Sequence, residues 1–312
     1  RSRAAGSPRR MRPTKVVHEG EQAVQKRVGE GGPDRGSPMF GPTLGSGVAD
    51  FIRRQRMIVI GGPDTDGDVW ASMLTGPSGF ADPIDDRTIV FNASLAVGDP
   101  LHSAYALNQP VGTLALDTSQ VRRIRANGVM HRSGQSLVLR TEQVLRNCPK
   151  YIQTREIVDV QPCEPSVEVG TSLSAAQQRW IEAADTFFVA THSPRHGADV
   201  SHRGGAPGFV TADVDRLIWP DYVGNSFYMT FGNLELNDRS GVCFLDWESG
   251  HMLQISGTAE VDWENREAPG AQRTVHFQVE RVVYTRDAVP LRWRLVSYSK
   301  FNPDSVQKEF DQ

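Results

Sequence analysis

Cysteine is scarce: Cys148, Cys163 and Cys243 are the only three in 312 residues. An odd count without a C-x-x-C pair excludes a disulfide framework and a cysteine-based zinc ribbon, and points to a reducing, cytoplasmic setting. No stretch approaches about 18 consecutive apolar residues, which excludes a membrane-spanning helix. Net charge is nearly absent as well. With 34 basic residues against 37 acidic, no global field draws the chain to nucleic acid or to an anionic membrane. Familiar catalytic signatures are missing too: there is no G-x-S-x-G elbow, no H-E-x-x-H, no Walker loop and no G-x-G-x-x-G. What is left is a globular chain long enough for two ordinary domains.

The charge that exists is unevenly spread. Residues 1–15 carry Arg1, Arg3, Arg9, Arg10, Arg12 and Lys15 and no acidic residue. Such a stretch fits a floppy arm, a targeting leader, or residues ahead of a start at Met11; Pro8, Pro13 and the lack of apolar periodicity favour the arm. Glycine-rich sequence continues to Gly47, with helical potential only from His18 to Val28. Residues 1–47 are therefore expected to be a flexible arm, and the folded body to begin near Val48.

The most informative feature is an internal repeat. Slid along itself by 129 residues, the chain places Ser72, Gly76, Gly79 and Phe80 on Ser201, Gly205, Gly208 and Phe209. Asp86, Arg87 and Ile89 fall on Asp215, Arg216 and Ile218, and Leu107, Asn108 and Gly112 on Leu236, Asn237 and Gly241. Leu116, Asp117 and Gly128 fall on Leu245, Asp246 and Gly257. A constant offset over that span marks two diverged copies of one module, assigned to residues 48–160 and 172–312.

In the second copy, Ser174 with Gln177 three residues later is a capping-box start for a helix ending near Ala184. Phe187–Ala190 reads as a buried strand and His192–Gly197 as a turn. Short strands follow around Val200, Gly208–Val210 and Leu217–Trp219, and then a helix over Asn225–Leu236. Val242–Asp246, Met252–Val261, Val275–Tyr284 and Leu291–Tyr298 complete the strands. Many short strands with sparse helices predict a mainly β fold, and a barrel in particular, because closure removes exposed sheet edges.

Chemistry concentrates in Asp199–Phe209. Ser201, His202 and Arg203 end a strand and precede glycines that let a ligand approach the backbone. Arginine supplies a permanent charge and a donor fork suited to phosphate. The first copy keeps the glycines and Phe80 but has Met73-Leu74 in place of His202-Arg203, so the charged pair belongs to one copy alone. This asymmetry predicts a single anion site. His192 and His196 flank a turn without metal-ligand spacing and are expected to face solvent.

Ser201-His-Arg-Gly-Gly-x-Pro-Gly-Phe-Val, then Trp219-Pro-Asp-Tyr-x-Gly-Asn225, Phe231-Gly-Asn-Leu and Gly257 together resemble the pyridoxamine 5′-phosphate oxidase-like family of FMN-binding split barrels, in particular its two-module members. The likeness extends to Trp70-Ala-Ser, Gly76–Phe80 and Asn147–Gln153. It implies tandem duplicated FMN-binding split barrels that form an intrachain pseudo-dimer, with FMN at the boundary. It also implies that Ser201, His202 and Arg203 line the flavin, that Trp219, Asp221 and Asn225 meet the ring and ribityl chain, and that Thr230 and Asn233 open the phosphate-binding helix. Lys150 is implied as a cation reaching over from the first module. Where the founding oxidases carry an Arg-Lys pair on that helix, this chain has Met229-Thr230, and no substrate-binding arginine and histidine stand out in Leu291–Phe301. The function implied is thus an FMN-dependent oxidoreductase acting on a small molecule such as NAD(P)H, and not a pyridoxamine phosphate oxidase. The alternatives are a non-catalytic flavin-binding protein and a haem- or deazaflavin-binding split barrel. A homodimer would form through surfaces other than the module boundary.

Overall fold

Apolar residues fill both faces of the strands that open each copy, and that double burial sets the architecture. A computed structural model describes residues 17–32, 34–96 and 98–303. Helices α1 (Glu19–Arg27) and α2 (Ser46–Arg54) precede β1 (Met57–Pro63), β2 (Val69–Thr75), β3 (Ala81–Pro83), β4 (Thr88–Phe91), β5 (Gln109–Asp117), β6 (Arg122–Ser133) and β7 (Ser136–Arg146). These strands form one antiparallel sheet in the order β2-β1-β5-β6-β7-β4-β3. Next come β8 (Thr154–Val160), β9 (Ser166–Gly170) and α3 (Ala175–Ala183). The second copy comprises β10 (Thr186–Ser193), β11 (Gly197–Gly204), β12 (Thr211–Ala212), β13 (Arg216–Tyr222), α4 (Met229–Leu234), β14 (Arg239–Leu245), β15 (Met252–Asp262) and β16 (Ala271–Arg286), before β17 (Leu291–Ser297). Its order, β11-β10-β14-β15-β16-β13-β12, repeats the first strand for strand. The chain is a tandem duplicated split barrel. Among the described residues, no helix is long and apolar enough to cross a membrane.

Three cores follow from the period-two alternation of side chains. Ile58 and Ile60 of β1 join Trp70 and Leu74 of β2 inside the first barrel. Phe187 and Val189 of β10 do the same in the second. The opposite faces, Met57, Val59, Ala71 and Met73 on one side and Phe188, Ala190 and Val200 on the other, form a third core between the barrels. An antiparallel sheet usually leaves one face to water. Here the second face is covered by the other module, which is why these strands read as unbroken apolar runs.

The contact is reciprocal. A Cβ on Gly112 would lie 2.5 Å from Val200 N, and one on Gly241 would lie 2.4 Å from Val69 O. Gly112 and Gly241 are repeat equivalents, so each module presses the same glycine against the same strand of its partner. That is the isologous geometry of a two-fold dimer, here within one chain. Gly128 and Gly257, a further equivalent pair, sit at matching register shifts, where a Cβ would meet the carbonyl oxygens of Arg140 and Gln278 at 2.0 and 1.9 Å.

The α3 capping box is present: Gln177 N donates to Ser174 Oγ at 3.3 Å, and Ser174 N to Gln177 Oε1 at 2.9 Å. Several expectations need correction. Residues 17–47 are not a loose arm, because Val24 is fully buried and Glu21 and Gln25 nearly so; residues 1–16 lie outside the described ones. The expected helix over Asn225–Leu236 shortens to Met229–Leu234, because Ser226 and Tyr228 adopt left-handed backbone with φ of 58° and 60°. Strand β10 runs on to Ser193, into the segment read as a turn. Thr154–Val160, assigned to the first module, pairs instead with β17 in a separate two-stranded sheet.

Candidate functional site

Strand β11 carries Ser201, His202 and Arg203 to the boundary between the modules. A Cβ on the next residue, Gly204, would fall 2.0 Å from the carbonyl oxygen of Tyr151, so only glycine lets the inter-module linker cross here. Gln153 knots that linker in place. Its Nε2 donates to the carbonyls of Tyr151, Asp185 and Gly205 at 3.2–3.3 Å, and its Oε1 accepts from Ser299 N at 2.8 Å. The linker thereby brings Cys148, Lys150 and Tyr151 beside β11. From the first module, β6 alternates Ile124 and Ala126 into its barrel core and turns Arg123, Arg125 and Asn127 toward the second module. The result is a cleft at the module boundary, partly open to solvent.

Its wall is dominated by four guanidinium groups, those of Arg123, Arg125, Arg203 and Arg273. Arg125 Nη1 donates to both oxygens of Asp199 at 3.2 Å, and Asn127 Nδ2 reaches the same carboxylate at 3.0 Å. Arg203 Nη1 donates to Asp221 Oδ1 at 2.5 Å, and Arg273 Nε lies 3.5 Å from Asp221 Oδ2. Lys150 and Glu30 also line the cleft, so three carboxylates, those of Asp199, Asp221 and Glu30, answer five cationic side chains. Removal from water, and then the charge of Arg125, push Arg123 down to about 9, so it is still charged at neutral pH. Burial, and then the cations led by Arg123, hold His202 well below the usual histidine value. The His202 ring is therefore neutral. Its Nδ1 stands 3.0 Å from Arg123 Nη1 and must accept there, which places the proton on Nε2, an atom with no protein partner. Arg203 Nε and Arg273 Nη1 are likewise buried without partners. Thr230 Oγ1 donates to Ser201 Oγ at 3.2 Å, placing two hydroxyls beside the cations.

Backbone strain concentrates at the same place. Of the five non-glycine residues with positive φ among the described residues, Tyr151, Ser226 and Tyr228 line this cleft. Left-handed backbone in a bulky residue costs on the order of 1–3 kcal/mol and persists where its surroundings enforce it.

The structure gathers Lys150, Ser201, His202, Arg203, Asp221, Asn225 and Thr230 into one cleft. It does not bring Trp219 or Asn233 there. Trp219 is 2% exposed and packs edge-on against Phe187 with ring centroids 5.2 Å apart, because its register on β13 points it inward with Leu217. Asn233 faces the N-terminal arm: its Oδ1 accepts from His18 Nε2 at 3.0 Å, and its Nδ2 donates to Thr191 Oγ1 at 3.1 Å. His196 does not face solvent either, since its side chain is 7% exposed and stacks on His18 at 4.1 Å. The sequence reading missed Arg123, Arg125 and Arg273. The signal available was the alternation Arg-Ile-Arg-Ala-Asn along 123–127, which is amphipathic with its charged face unexplained.

The pseudo-equivalent boundary lacks these cations and is packed instead of open. Met73 and Leu74 replace His202 and Arg203, and the residues equivalent to Arg123 and Arg125 are Met252 and Gln254. Asp99, fully withdrawn from water, occupies that side. It accepts from Ser72 Oγ, from Leu101 N at 2.8 Å and from Gln254 Nε2 at 3.1 Å. Burial raises its carboxyl above the usual range.

Behind the charged cleft, Glu21 of α1 is 1% exposed and accepts from Ser37 N and Ser37 Oγ, both at 2.7 Å. Burial pushes it up to about 7. A carboxyl whose folded pKa exceeds its unfolded value favours folding while protonated, and that advantage is lost as pH rises between the two values, here from about 4.5 to about 7. Glu21→Gln keeps both contacts to Ser37 without the charge. The variant is expected to become more stable than the parent above pH 7 by up to about 3 kcal/mol, and urea midpoints between pH 5 and 8.5 check it. Parallel pH profiles for the two proteins would refute the assignment.

No family model and no curated protein matches the chain. Solved structures do match, each over little more than a third of it. Group A Streptococcus HupZ is 15% identical, covering 38% of this chain and 98% of its own, with a TM-score of 0.31. A candidate pyridoxamine 5′-phosphate oxidase from Lactobacillus delbrueckii is 19% identical over 36% of this chain and 93% of its own, with a TM-score of 0.29. An FAD-binding protein from Mesorhizobium loti is 13% identical over 38% and 97%, with a TM-score of 0.27.

Proposed function

We propose that the chain is an FMN-dependent oxidoreductase that holds one FMN in the cleft between its modules. The observation that supports this reading is the excess of two positive charges in a partly buried wall at one module boundary, together with their absence at the other. A phosphate monoester carries close to two negative charges and three acceptor oxygens, and it leaves water only where donors replace its hydration. The residues present fit that demand. Arg123 and Arg203 supply fixed charge, Ser201 and Thr230 supply hydroxyls, and the unpartnered Nε2–H of neutral His202 supplies a donor that nothing in the protein satisfies. Lys150 and Asn225 stand at the same cleft, with Tyr151, Tyr222 and Phe227 as apolar wall for a planar ring.

Flavin, when bound, supplies hydride or electron transfer, and the protein's part is to bind, orient and tune it. No side chain of the cleft is required as nucleophile. The side open to solvent gives a small substrate such as NAD(P)H a path to the ring. The test is the visible spectrum of the purified chain, followed by oxidation of reduced nicotinamide under air. A flavin spectrum with turnover is expected. A flavin spectrum without turnover would make the protein a binder only, and a haem spectrum would overturn the reading.

A further inference from the structure

The segment Asn225–Tyr228 forms one wall of the cleft, and residues of the N-terminal arm hold it from behind. Phe40 packs edge-on against Phe227 with ring centroids 5.0 Å apart. Tyr228 Oη donates to Glu30 Oε2 at 3.1 Å, Gln25 Nε2 reaches Phe227 O at 3.5 Å, and Arg35 Nη2 reaches Asn225 O at 3.5 Å. Ser226 bonds the same Glu30 carboxylate, so each of the four wall residues has an arm partner. Two of these four residues hold the left-handed backbone that bulky side chains avoid.

The arm is itself docked on α4, the helix that follows the wall. A Cβ on Gly20 would lie 2.0 Å from Gly232 O, and one on Gly232 would lie 2.7 Å from Glu21 N, so the two backbones touch where each helix has a glycine. His18 bonds Asn233 and stacks on His196, while Arg195 pairs with Glu19 at 2.6 Å. On the cleft side, α4 carries Thr230 beside Ser201, and Met229 Sδ lies 3.6 Å from Arg125 Nη1.

We propose that the arm is a positioning element of the ligand site: docked on α4, it fixes the strained Asn225–Tyr228 wall, so that arm docking and ligand binding strengthen one another. The coupling is reciprocal by linkage. It rests on the FMN reading for the identity of the ligand, but the state of the wall is measurable without any ligand.

The test compares full-length parent, Gly20→Val, Phe40→Ala and Phe40→Tyr by amide hydrogen exchange over residues 222–231 and by FMN titration. Gly20→Val lies outside the cleft and removes the helix contact. It should raise exchange in 222–231 at least tenfold in the ligand-free protein and weaken FMN binding at least tenfold, in a protein that still unfolds cooperatively although at a lower midpoint, because Val24 of the arm packs in the second barrel's core. Phe40→Ala, which leaves the docking contact in place, should do part of both, and Phe40→Tyr should restore parent behaviour. Unchanged exchange over 222–231 in a variant whose arm exchanges freely would overturn the proposal, as would loosened wall residues with undiminished FMN affinity. If the parent binds no FMN, the cofactor reading fails while the exchange comparison still decides the role of the arm. If Gly20→Val does not fold, Phe40→Ala against Phe40→Tyr carries the same decision.

Discussion

Arg203→Ala should weaken FMN retention by about 2–4 kcal/mol, or about 30- to 700-fold in Kd, the range for truncating one partner of a buried charge pair. The Arg203 side chain is 19% exposed, so its charge acts from a partly desolvated position. In the ligand-free protein it is held by Asp221, which Arg273 also approaches. Removing Arg203 therefore leaves Asp221 with a remaining cation, and the fold should survive a change that the ligand does not. Arg203→Lys should also lose affinity, because a point charge replaces a donor fork, one arm of which is already held by Asp221. Equilibrium titration of the three proteins with FMN checks both. Equal affinities would remove Arg203 from the site, whatever else the cleft binds.

Gly241→Val should destabilise the chain by about 3–5 kcal/mol, at the severe end for a single substitution. The added Cβ would stand 2.4 Å from Val69 O and 2.7 Å from Trp70 Cα, both backbone atoms of β2. That strand pairs with β1 along its whole length, so it has no freedom to retreat. The clash falls in the core shared by the two barrels, and the expected damage is to their association. Gly45→Ala is the matched control, since nothing lies within 4 Å of a Cβ there. Urea unfolding of parent and both variants decides the point. A Gly241→Val protein with the parent's midpoint would mean that the modules do not meet as described.

The duplication was legible because close backbone approach leaves glycine as its trace. Gly112 with Gly241, and Gly128 with Gly257, align at one offset because each pair marks the same contact in both copies. The capping box at Ser174 and the strand ending in Ser201–Arg203 depend only on neighbours in sequence, and they too could be read directly. What depends on packing between distant segments was hidden. Arg123 and Arg125 look like the solvated face of a first-module strand until the second module covers them. Trp219 was assigned to the cofactor by resemblance, although its parity with Leu217 points it into the barrel. The arm looked loose because its order comes from α4 and the 225–228 segment, contacts spanning about 200 residues that no local pattern announces.

One anionic cofactor per chain is expected, because Arg123, Arg125, His202 and Arg203 have Met252, Gln254, Met73 and Leu74 as their counterparts at the other module boundary. The most direct measurement is the amount of flavin retained per chain after saturation with FMN and removal of the free ligand, with flavin and protein quantified independently. One equivalent is expected. Two equivalents would show that the boundary holding Asp99 binds after all, and none in the folded protein would contradict the assignment of the charged cleft.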